Sequence, residues 1–476
     1  MKLMFDVVII GAGITGSLIA HRLSKSDLRV LVLEKENDVA EGATGANSAM
    51  VHSGHDPKPG TLKCKYNLEG NRMFPDLCKE LQVSYVPIGA YVASGSPEEE
   101  ERLEVLINQC KERNVPFEVL SGEEAKKEEP HLADRISKVL SLPSTGIVTP
   151  WEVTIAAMEE AMLNGVELRL DCEVKKIEKK DDAFLINDEI EAKVLVNCAG
   201  AHCDEITGML RPSPYKVLPK KGEYFVLDHL DGSFVKHVIY PVPTAKGKGV
   251  LAVPTVHGNV MLGPNSDFTD DPEDDATGDG LEYIRNQIVN TMKDVPYHKM
   301  IHTFAGLRPN IDLSDFYIRE DEEINNFIHV AGIESPGLSA APAIARDVVD
   351  EMILPKFTSK EKENYVHRKP FIRMDEMSDE QINELIAKDS SFGKLVCRCE
   401  KISEGQIRDV INRKCGATTI KGVKMRCRPG MGRCQGGFCE PEVLKILAQE
   451  LHKKPDEILL DKDGSNVCVA YAKEEL

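Results

Sequence analysis

Residues 5–16 read FDVVIIGAGITG, and after a helix-like stretch, residues 29–34 read RVLVLE. This order predicts a buried strand, a tight glycine turn, a helix and a second strand, the pattern of a dinucleotide-binding fold. Gly11 permits the turn, Gly13 lets the backbone approach a pyrophosphate, and Gly16 allows close contact between helix and strand. The N-terminus of the predicted helix stabilises the negative charge of this pyrophosphate. We therefore predict an α/β fold that binds a dinucleotide near the start of the chain.

The choice of cofactor depends on segments beyond this turn. Glu34, at the end of the second strand, suits the ribose hydroxyls of either NAD or FAD. Residues 42–48 read GATGANS, a loop of small residues that can pass close to the second half of a long cofactor, which favours FAD. A later helix, predicted to begin at Pro336 and Gly337, would direct its positive end toward a bound ring and stabilise a reduced, anionic flavin. The residues predicted to contact FAD are Gly11, Gly13, Ile14, Thr15, Gly16, Glu34, Ala43, Thr44, Asn47, Ser48, Val174, Gly200, Gly337, Leu338 and Ser339.

Two cysteine pairs near the C-terminus predict a metal centre. One residue separates Cys397 from Cys399, and four residues separate Cys434 from Cys439. Thiolates alone suit zinc as well as an iron–sulfur cluster. The one-residue gap fits structural zinc poorly, and the glycine-rich loop before the second pair leaves backbone amides free to point at sulfur. Residues 397–439 also carry ten Lys or Arg against three Asp or Glu, and this positive charge offsets an anionic cluster.

Composition limits the remaining classes of function. A chain of 476 residues predicts two or three domains. Its net charge of −19 argues against sequence-independent binding of nucleic acid, which requires cations that neutralise phosphates. Thirteen cysteines without a leader-like pattern fit a reducing cytoplasm, and no apolar run reaches the length of a membrane span. We expect a cytoplasmic protein, with peripheral association at a membrane left open.

Six further motifs lie in the first 370 residues or so: NSAMVHSG (47–54), KPGTLK (58–63), KGEY (221–224), GNVMLGP (258–264), GLRP (306–309) and GIESPG (332–337). With these motifs, this part of the chain resembles the D-amino-acid-oxidase-like FAD-dependent oxidoreductases. Within that superfamily it is most similar to the branch that holds L-2-hydroxyglutarate oxidases and FAD-dependent glycerol-3-phosphate dehydrogenases. The resemblance implies a doubly wound, Rossmann-like FAD-binding domain and an interleaved substrate domain whose antiparallel sheet covers the flavin.

The cysteine segment resembles the small helical [2Fe–2S] domain of the bacterioferritin-associated ferredoxin type. That resemblance implies that Cys397, Cys399, Cys434 and Cys439 bind the cluster. Cys415 and Cys427 lie outside the pattern, as free thiols or as a replacement ligand. The predicted organisation is an oxidoreductase at 1–355 (FAD-binding at about 1–80, 145–210 and 300–355, substrate domain at about 81–144 and 211–299), a linker at 356–392, the cluster domain at 393–452 and a tail at 453–476.

Oxidation of an alcohol by a flavin requires a base for the hydroxyl proton. His52 is the candidate, because imidazole accepts protons near neutral pH and the family likeness places it near the ring. The competing interpretation is a core histidine bonded to backbone. His257 is the rival and is also a candidate for binding substrate, together with Ser48. Arg308 suits a carboxylate or phosphate of the substrate. Lys58, Lys63 and Lys65 lie close together in the sequence. They form either a second basic cluster for an anionic substrate or part of a solvated surface loop.

The resemblance finally implies a reaction. The expected activity is oxidation of sn-glycerol 3-phosphate to dihydroxyacetone phosphate, with electrons leaving the flavin through the [2Fe–2S] cluster to a protein subunit or quinone. One alternative is oxidation of L-2-hydroxyglutarate to 2-oxoglutarate. Another is an electron-transfer subunit that carries a flavin and a cluster without a substrate of its own.

Overall fold

The computed structural model describes residues 3–230, 234–244, 247, 249–269 and 275–469. The end of the predicted tail, residues 470–476, lies outside this range. The α-helices of the described residues are α1 (Ile14–Leu23), α2 (Leu62–Leu81), α3 (Pro97–Arg113), α4 (Gly122–Glu128), α5 (Pro150–Leu163), α6 (Cys203–Gly208), α7 (Gly278–Ile288), α8 (Gly337–Asp347), α9 (Asp379–Lys388), α10 (Glu404–Ile411), α11 (Ile420–Cys427) and α12 (Glu440–Glu450). The strands are β1 (Leu3–Ile10), β2 (Val30–Leu33), β3 (Met50–Val51), β4 (Tyr85–Val86), β5 (Ala90–Ser94), β6 (Glu118–Ser121), β7 (Lys138–Leu142), β8 (Gly146–Val148), β9 (Glu167–Arg169), β10 (Ile177–Lys180), β11 (Ala183–Ile186), β12 (Ile190–Asn197), β13 (Lys220–Leu227), β14 (Val238–Pro241), β15 (Leu251–Pro254), β16 (Val260–Gly263), β17 (Asp267–Phe268), β18 (Met300–Arg308), β19 (Tyr317–Glu320), β20 (Phe327–Ala331), β21 (Leu395–Cys397) and β22 (Ile402–Ser403).

The first sheet is built on parallel strands from distant parts of the chain. Strand β1 pairs in parallel with β2 on one side and β12 on the other, and the parallel pairing continues to β9 and β20 at the two sides. Strands β10, β11 and β19 add antiparallel pairs. Every residue of β2 and β20 is buried, as expected for parallel strands covered on both faces. The predicted doubly wound domain is confirmed.

A second, largely antiparallel sheet is interleaved with the first. Its path is β17-β13-β16-β15-β14-β5-β7-β6, and β18 pairs with β13. The pair of β5 and β14 is parallel. Because Gly306 of β18 faces the loop after β2, a Cβ atom at Gly306 would lie 2.2 Å from the Ala46 carbonyl oxygen. This close approach places the second sheet over the cofactor loop, and it confirms the predicted interleaved arrangement.

Glycine is required where β1 turns into α1. Gly11 has a φ of +102°, and a Cβ atom there would lie 2.5 Å from the Cys198 carbonyl oxygen at the end of β12. A Cβ atom at Gly16 would lie 2.1 Å from the carbonyl oxygen of Gly11. Larger residues would force the helix away from the strand, so these two glycines set the distance between α1 and the sheet.

The C-terminal cysteine segment folds as a small helical unit against the flavin domain. Helices α10, α11 and α12 pack on one another, and their apolar side chains join those of α5 and the first sheet in one continuous core. Arg426 of α11 binds Asp38 of the flavin domain in two hydrogen bonds of 2.6 and 2.8 Å. The two side chains are 0% and 6% exposed, so this ion pair is buried. Among the described helices, none combines the length and hydrophobicity that a bilayer crossing requires.

Removing one member of this buried pair should destabilise the protein strongly. Asp38→Ala leaves the Arg426 guanidinium buried without its carboxylate, and we expect a loss of about 3–5 kcal/mol in the free energy of unfolding. Chemical denaturation followed by circular dichroism would measure this loss. Asp134→Ala is the control because the Asp134 side chain, paired with Lys293, is 85% exposed. An equal effect of both substitutions would contradict a special role for the buried pair.

Candidate functional site

A cavity of about 690 Å³ lies between the two sheets. It begins at the glycine turn after β1, passes the loop 42–48 and ends beneath β13 and β18. Fourteen of the fifteen predicted FAD-contacting residues line it, and Ser339 is the exception. A volume of this order is typical of a cofactor site. The sequence motifs therefore converge on one space although they come from separate parts of the chain.

The nucleotide end is held by backbone contacts. The Glu34 carboxylate accepts hydrogen bonds from the backbone N–H groups of Ala12 (2.7 Å) and Glu36 (3.0 Å). Burial raises the pKa of Glu34. Thr44 Oγ1 accepts the N–H of Ile14 at 3.0 Å, which ties the small-residue loop to the start of α1. A glycine cradle, a fixed carboxylate and a long cavity are the features a dinucleotide requires, so the residues fit FAD.

His52 lies at the other end of the cavity and is held from two sides. Its backbone N–H donates to Ser339 Oγ at 2.7 Å, and its Nδ1 lies 2.8 Å from the Tyr240 hydroxyl. The Tyr240 hydroxyl also lies 3.5 Å from the Met50 sulfur. Because Tyr240 occupies Nδ1, Nε2 is the candidate basic nitrogen of His52. Ser339 supports His52 from behind and does not line the cavity.

Arg308 reaches the cavity from the end of β18. It donates to the Asn265 carbonyl and to Ser266 Oγ, both at 3.1 Å. A Cβ atom at Gly222 would lie 2.3 Å from Nη2 of Arg308, so the guanidinium lies directly against the backbone of Gly222. Within the described part of the chain, Arg308 makes no ion pair. Its charge is available for an anion in the cavity.

Tyr224 lines the cavity but was not among the predicted site residues, although it belongs to the KGEY motif. Its hydroxyl lies 2.9 Å from Ser48 Oγ, and its ring stacks on Phe304 with centroids 4.6 Å apart. Both aromatic residues belong to paired strands of the second sheet. Side chains along a strand such as β13 point alternately to its two faces. Once the face toward the cofactor is known, this alternation identifies Tyr224 as a site residue.

Four predicted or candidate basic residues lie elsewhere. His257 lines a second cavity, beside the cluster domain, and Lys58 is exposed and lines neither cavity. Lys63 is paired with Glu334 at 2.7 Å, and Lys65 with Asp347 at 2.5 Å. The predicted second basic cluster thus consists of an exposed lysine and two lysines already bound to carboxylates.

The four predicted cluster cysteines form two pairs that cross the sequence pairs. Cys399 Sγ lies 3.6 Å from Cys434 Sγ, and Cys397 is hydrogen-bonded to Cys439. Hydrogen bonds from Cys439 and from nearby backbone N–H groups lower the pKa of the Cys397 thiol to about 6. A thiol with a depressed pKa is readily available as a thiolate ligand.

The pairing favours two metal ions over one. No three of these four sulfurs lie within 4.8 Å of one another among the described residues. A single tetrahedral zinc ion, with Zn–S bonds of about 2.3 Å, would draw all four together. Two thiolates for each iron is the ligand number of a [2Fe–2S] cluster, so the residues fit that group. Gly432 is needed at the site because a Cβ atom there would lie 2.3 Å from Cys399 Cβ.

Cys415 and Cys427 are buried and take no part in these pairs. Cys415 accepts a hydrogen bond from Arg426 at 3.8 Å, and burial raises its pKa to about 12. Burial also raises the pKa of Cys427, which ends α11. Neither thiol belongs to the two sulfur pairs.

The fold and the two sites together define a flavin-dependent oxidoreductase with an iron–sulfur domain. The family described as FAD dependent oxidoreductase matches residues 6–351, and the chain belongs to this family. The BFD-like [2Fe-2S] binding domain matches residues 395–449. FAD and a [2Fe–2S] cluster are therefore its cofactors.

Relatives in sequence and structure agree with this assignment. The chain is 44% identical to a glycerol 3-phosphate dehydrogenase of Caloramator mitchellensis, over 99% of this chain and 100% of the relative. It is 32% identical to the mitochondrial L-2-hydroxyglutarate dehydrogenase of Homo sapiens, over 55% of this chain and 61% of that protein. The FAD-bound L-alpha-glycerophosphate oxidase of Mycoplasma pneumoniae superposes with a TM-score of 0.74 at 27% identity, covering 78% of this chain and all of that chain.

Replacing one cysteine of a pair should remove the cluster. We expect Cys434→Ser to lose the visible iron–sulfur absorption and the bound iron and sulfide, because one iron would keep a single protein thiolate. Cys427→Ala is the control and should keep two irons per chain, since Cys427 is buried outside the pairs. Iron and sulfide analysis with absorption spectroscopy would measure both. Loss of iron in Cys427→Ala alone would show that the ligands are wrongly assigned.

Proposed function

We propose that the protein oxidises sn-glycerol 3-phosphate to dihydroxyacetone phosphate, and that electrons leave through the [2Fe–2S] cluster to a partner protein or quinone. The observation that carries this proposal is the relative from Caloramator mitchellensis, named for dehydrogenation of glycerol 3-phosphate, which matches the whole chain including the cluster domain. The L-2-hydroxyglutarate dehydrogenases match about half of this chain. These relatives support L-2-hydroxyglutarate as the alternative substrate.

The cavity residues suit a substrate with an anionic group and a hydroxyl. Bound FAD would supply the acceptor for the carbinol hydride. In the proposed arrangement, the Arg308 guanidinium binds the phosphate, and Ser48 and Tyr224 donate or accept hydrogen bonds near the ring end. His52 accepts the hydroxyl proton at Nε2, because Tyr240 occupies Nδ1. Holding both groups of the substrate fixes its orientation for hydride transfer.

Cluster and flavin have separate tasks in this proposal. The flavin takes two electrons at once, and a [2Fe–2S] cluster passes them on singly. Cys399 is exposed, which gives a partner access to the cluster side of the relay. This arrangement supports a dehydrogenase over an oxidase that delivers electrons to oxygen.

Substrate choice is tested by anaerobic stopped-flow spectroscopy of the flavin absorption. We expect glycerol 3-phosphate to bleach the flavin rapidly, and L-2-hydroxyglutarate to do so slowly or not at all. Arg308→Met should lower kcat/KM for glycerol 3-phosphate by at least about tenfold, because a charge-assisted contact is lost. Arg319→Met, in an exposed pair with Glu322, is the matched control. Rapid bleaching by L-2-hydroxyglutarate alone would refute the substrate, and bleaching by neither would favour an electron-transfer subunit.

The role of His52 is tested by His52→Gln. Loss of the base should slow substrate-driven flavin reduction by about a hundredfold to ten-thousandfold while the flavin and cluster spectra stay unchanged. Raising the pH should partly restore the rate, since the substrate hydroxyl then loses its proton more easily. His298→Gln, at an exposed histidine, should behave like the parent protein. Reduction of His52→Gln at the parent rate would contradict the assignment.

A further inference from the structure

A second cavity, of about 740 Å³, lies between the second sheet, the cofactor loop and the cluster domain. Glu41, Ala46 and Asn47 line both cavities, so the cofactor loop is their common wall. On its far side the cavity is bounded by Cys439 and by the loop around Gly430. The cavity is as large as the first one and is separate from the space assigned to FAD.

Lys424 supplies a positive charge to this cavity that is not neutralised by direct contact. Within the described part of the chain, the side-chain amine of Lys424 forms neither a hydrogen bond nor an ion pair. Burial lowers its pKa, outweighing the attraction of Glu440 and Asp461. Lys421, on the same helix, is different because it binds Glu41 and Asp461. A cation in this position gains stability when an anion enters the cavity.

Other polar groups around the cavity favour the same kind of ligand. Arg428 lines it and is bonded to Glu400 at 2.9 Å, with a further contact of 3.5 Å to Asn259. Burial, followed by the charge of Arg428, lowers the pKa of His257 to about 3. Burial and Lys424 also lower the pKa of His302. Both histidines are therefore neutral at physiological pH, where they offer hydrogen bonds without adding charge.

The rest of the wall is apolar and partly aromatic. Trp151 is the chain's single tryptophan, and it lines the cavity together with Phe304 of the second sheet. Three methionines, Met261, Met425 and Met431, complete this part of the wall. Flat rings pack well against aromatic and thioether side chains. The cavity thus combines a surface for a flat ring with cations for an anionic group.

We propose that this cavity binds a mononucleotide, with its phosphate within reach of Lys424 and Arg428 and its ring against the wall that contains Trp151 and Phe304. The volume exceeds what a phosphate alone requires and lies in the range of small-ligand sites. The proposal does not depend on the identity of the substrate. It depends only on residues that lie outside the cavity assigned to FAD, apart from the shared loop.

Calorimetric titration of the FAD-loaded, cluster-containing protein tests the site. The probes are AMP and FMN, each compared with its unphosphorylated form, adenosine or riboflavin. We expect one saturable site for a phosphorylated probe, weaker binding of its unphosphorylated form by at least about tenfold, and a similar loss in Lys424→Met. Lys445→Met is the matched control, because Lys445 lies on α12 in a pair with Glu442 that is largely exposed. Loaded FAD prevents the probes from entering the first cavity.

A second measurement does not require a variant. In the parent protein, the lowered pKa of Lys424 should let an acylating reagent modify its amine at a lower pH than an ordinary lysine, and mass spectrometry can follow this site. The phosphorylated probe should slow modification of Lys424 and leave that of Lys445 unchanged. Absence of saturable binding by both AMP and FMN, or binding that neither protects Lys424 nor weakens in Lys424→Met, would overturn the proposal.

Discussion

The buried ion pair between Arg426 and Asp38 fixes the arrangement on which both redox sites depend. Asp38 lies just before the loop 41–47, which lines both cavities, and Arg426 lies just before the loop that carries Cys434. Neither ion can leave this contact without stranding the other in a nonpolar interior. Together with the continuous apolar core beneath it, the pair determines how the cluster loop lies relative to the flavin loop. The linker between the domains does not have to set that position.

His52 shows how the fold converts long-range contacts into a chemical property. Ser339, near the start of α8, holds the backbone of His52, while Tyr240 from the second sheet holds its ring. The helix whose N-terminus faces the cofactor cavity therefore also positions the candidate base. A shift of α8 or of the second sheet would move one of these two hydrogen-bond partners and with it the direction of the imidazole. The base and the ring-binding helix are consequently coupled through one hydroxyl group.

Local patterns were readable from the sequence, and contacts between distant segments were not. The turn at Gly11 and the cysteine pairs depend on residues that are close together in the chain, so both can be recognised from the sequence alone. His257 illustrates the limit, because its residue type made it a candidate but the sequence could not show which cavity it lines. Tyr240 carried no signal of a role, since its contact with His52 joins residues 188 positions apart. The crossed pairing of the four thiols likewise depends on a fold that brings residues 35 or more positions apart together.

The second cavity connects ligand binding to the docking of the cluster domain. Its walls come from the second sheet, from the cofactor loop and from α11, so Lys424 faces a ligand only when the cluster domain is in place. A ligand that binds this arrangement and not the separated one must stabilise it, by RT ln(1 + [L]/Kd). The reciprocal also holds, because any contact that strengthens docking, the buried pair of Arg426 and Asp38 included, raises the affinity of the cavity for its ligand. Occupancy of the cavity and the distance between flavin and cluster are therefore linked properties of this chain.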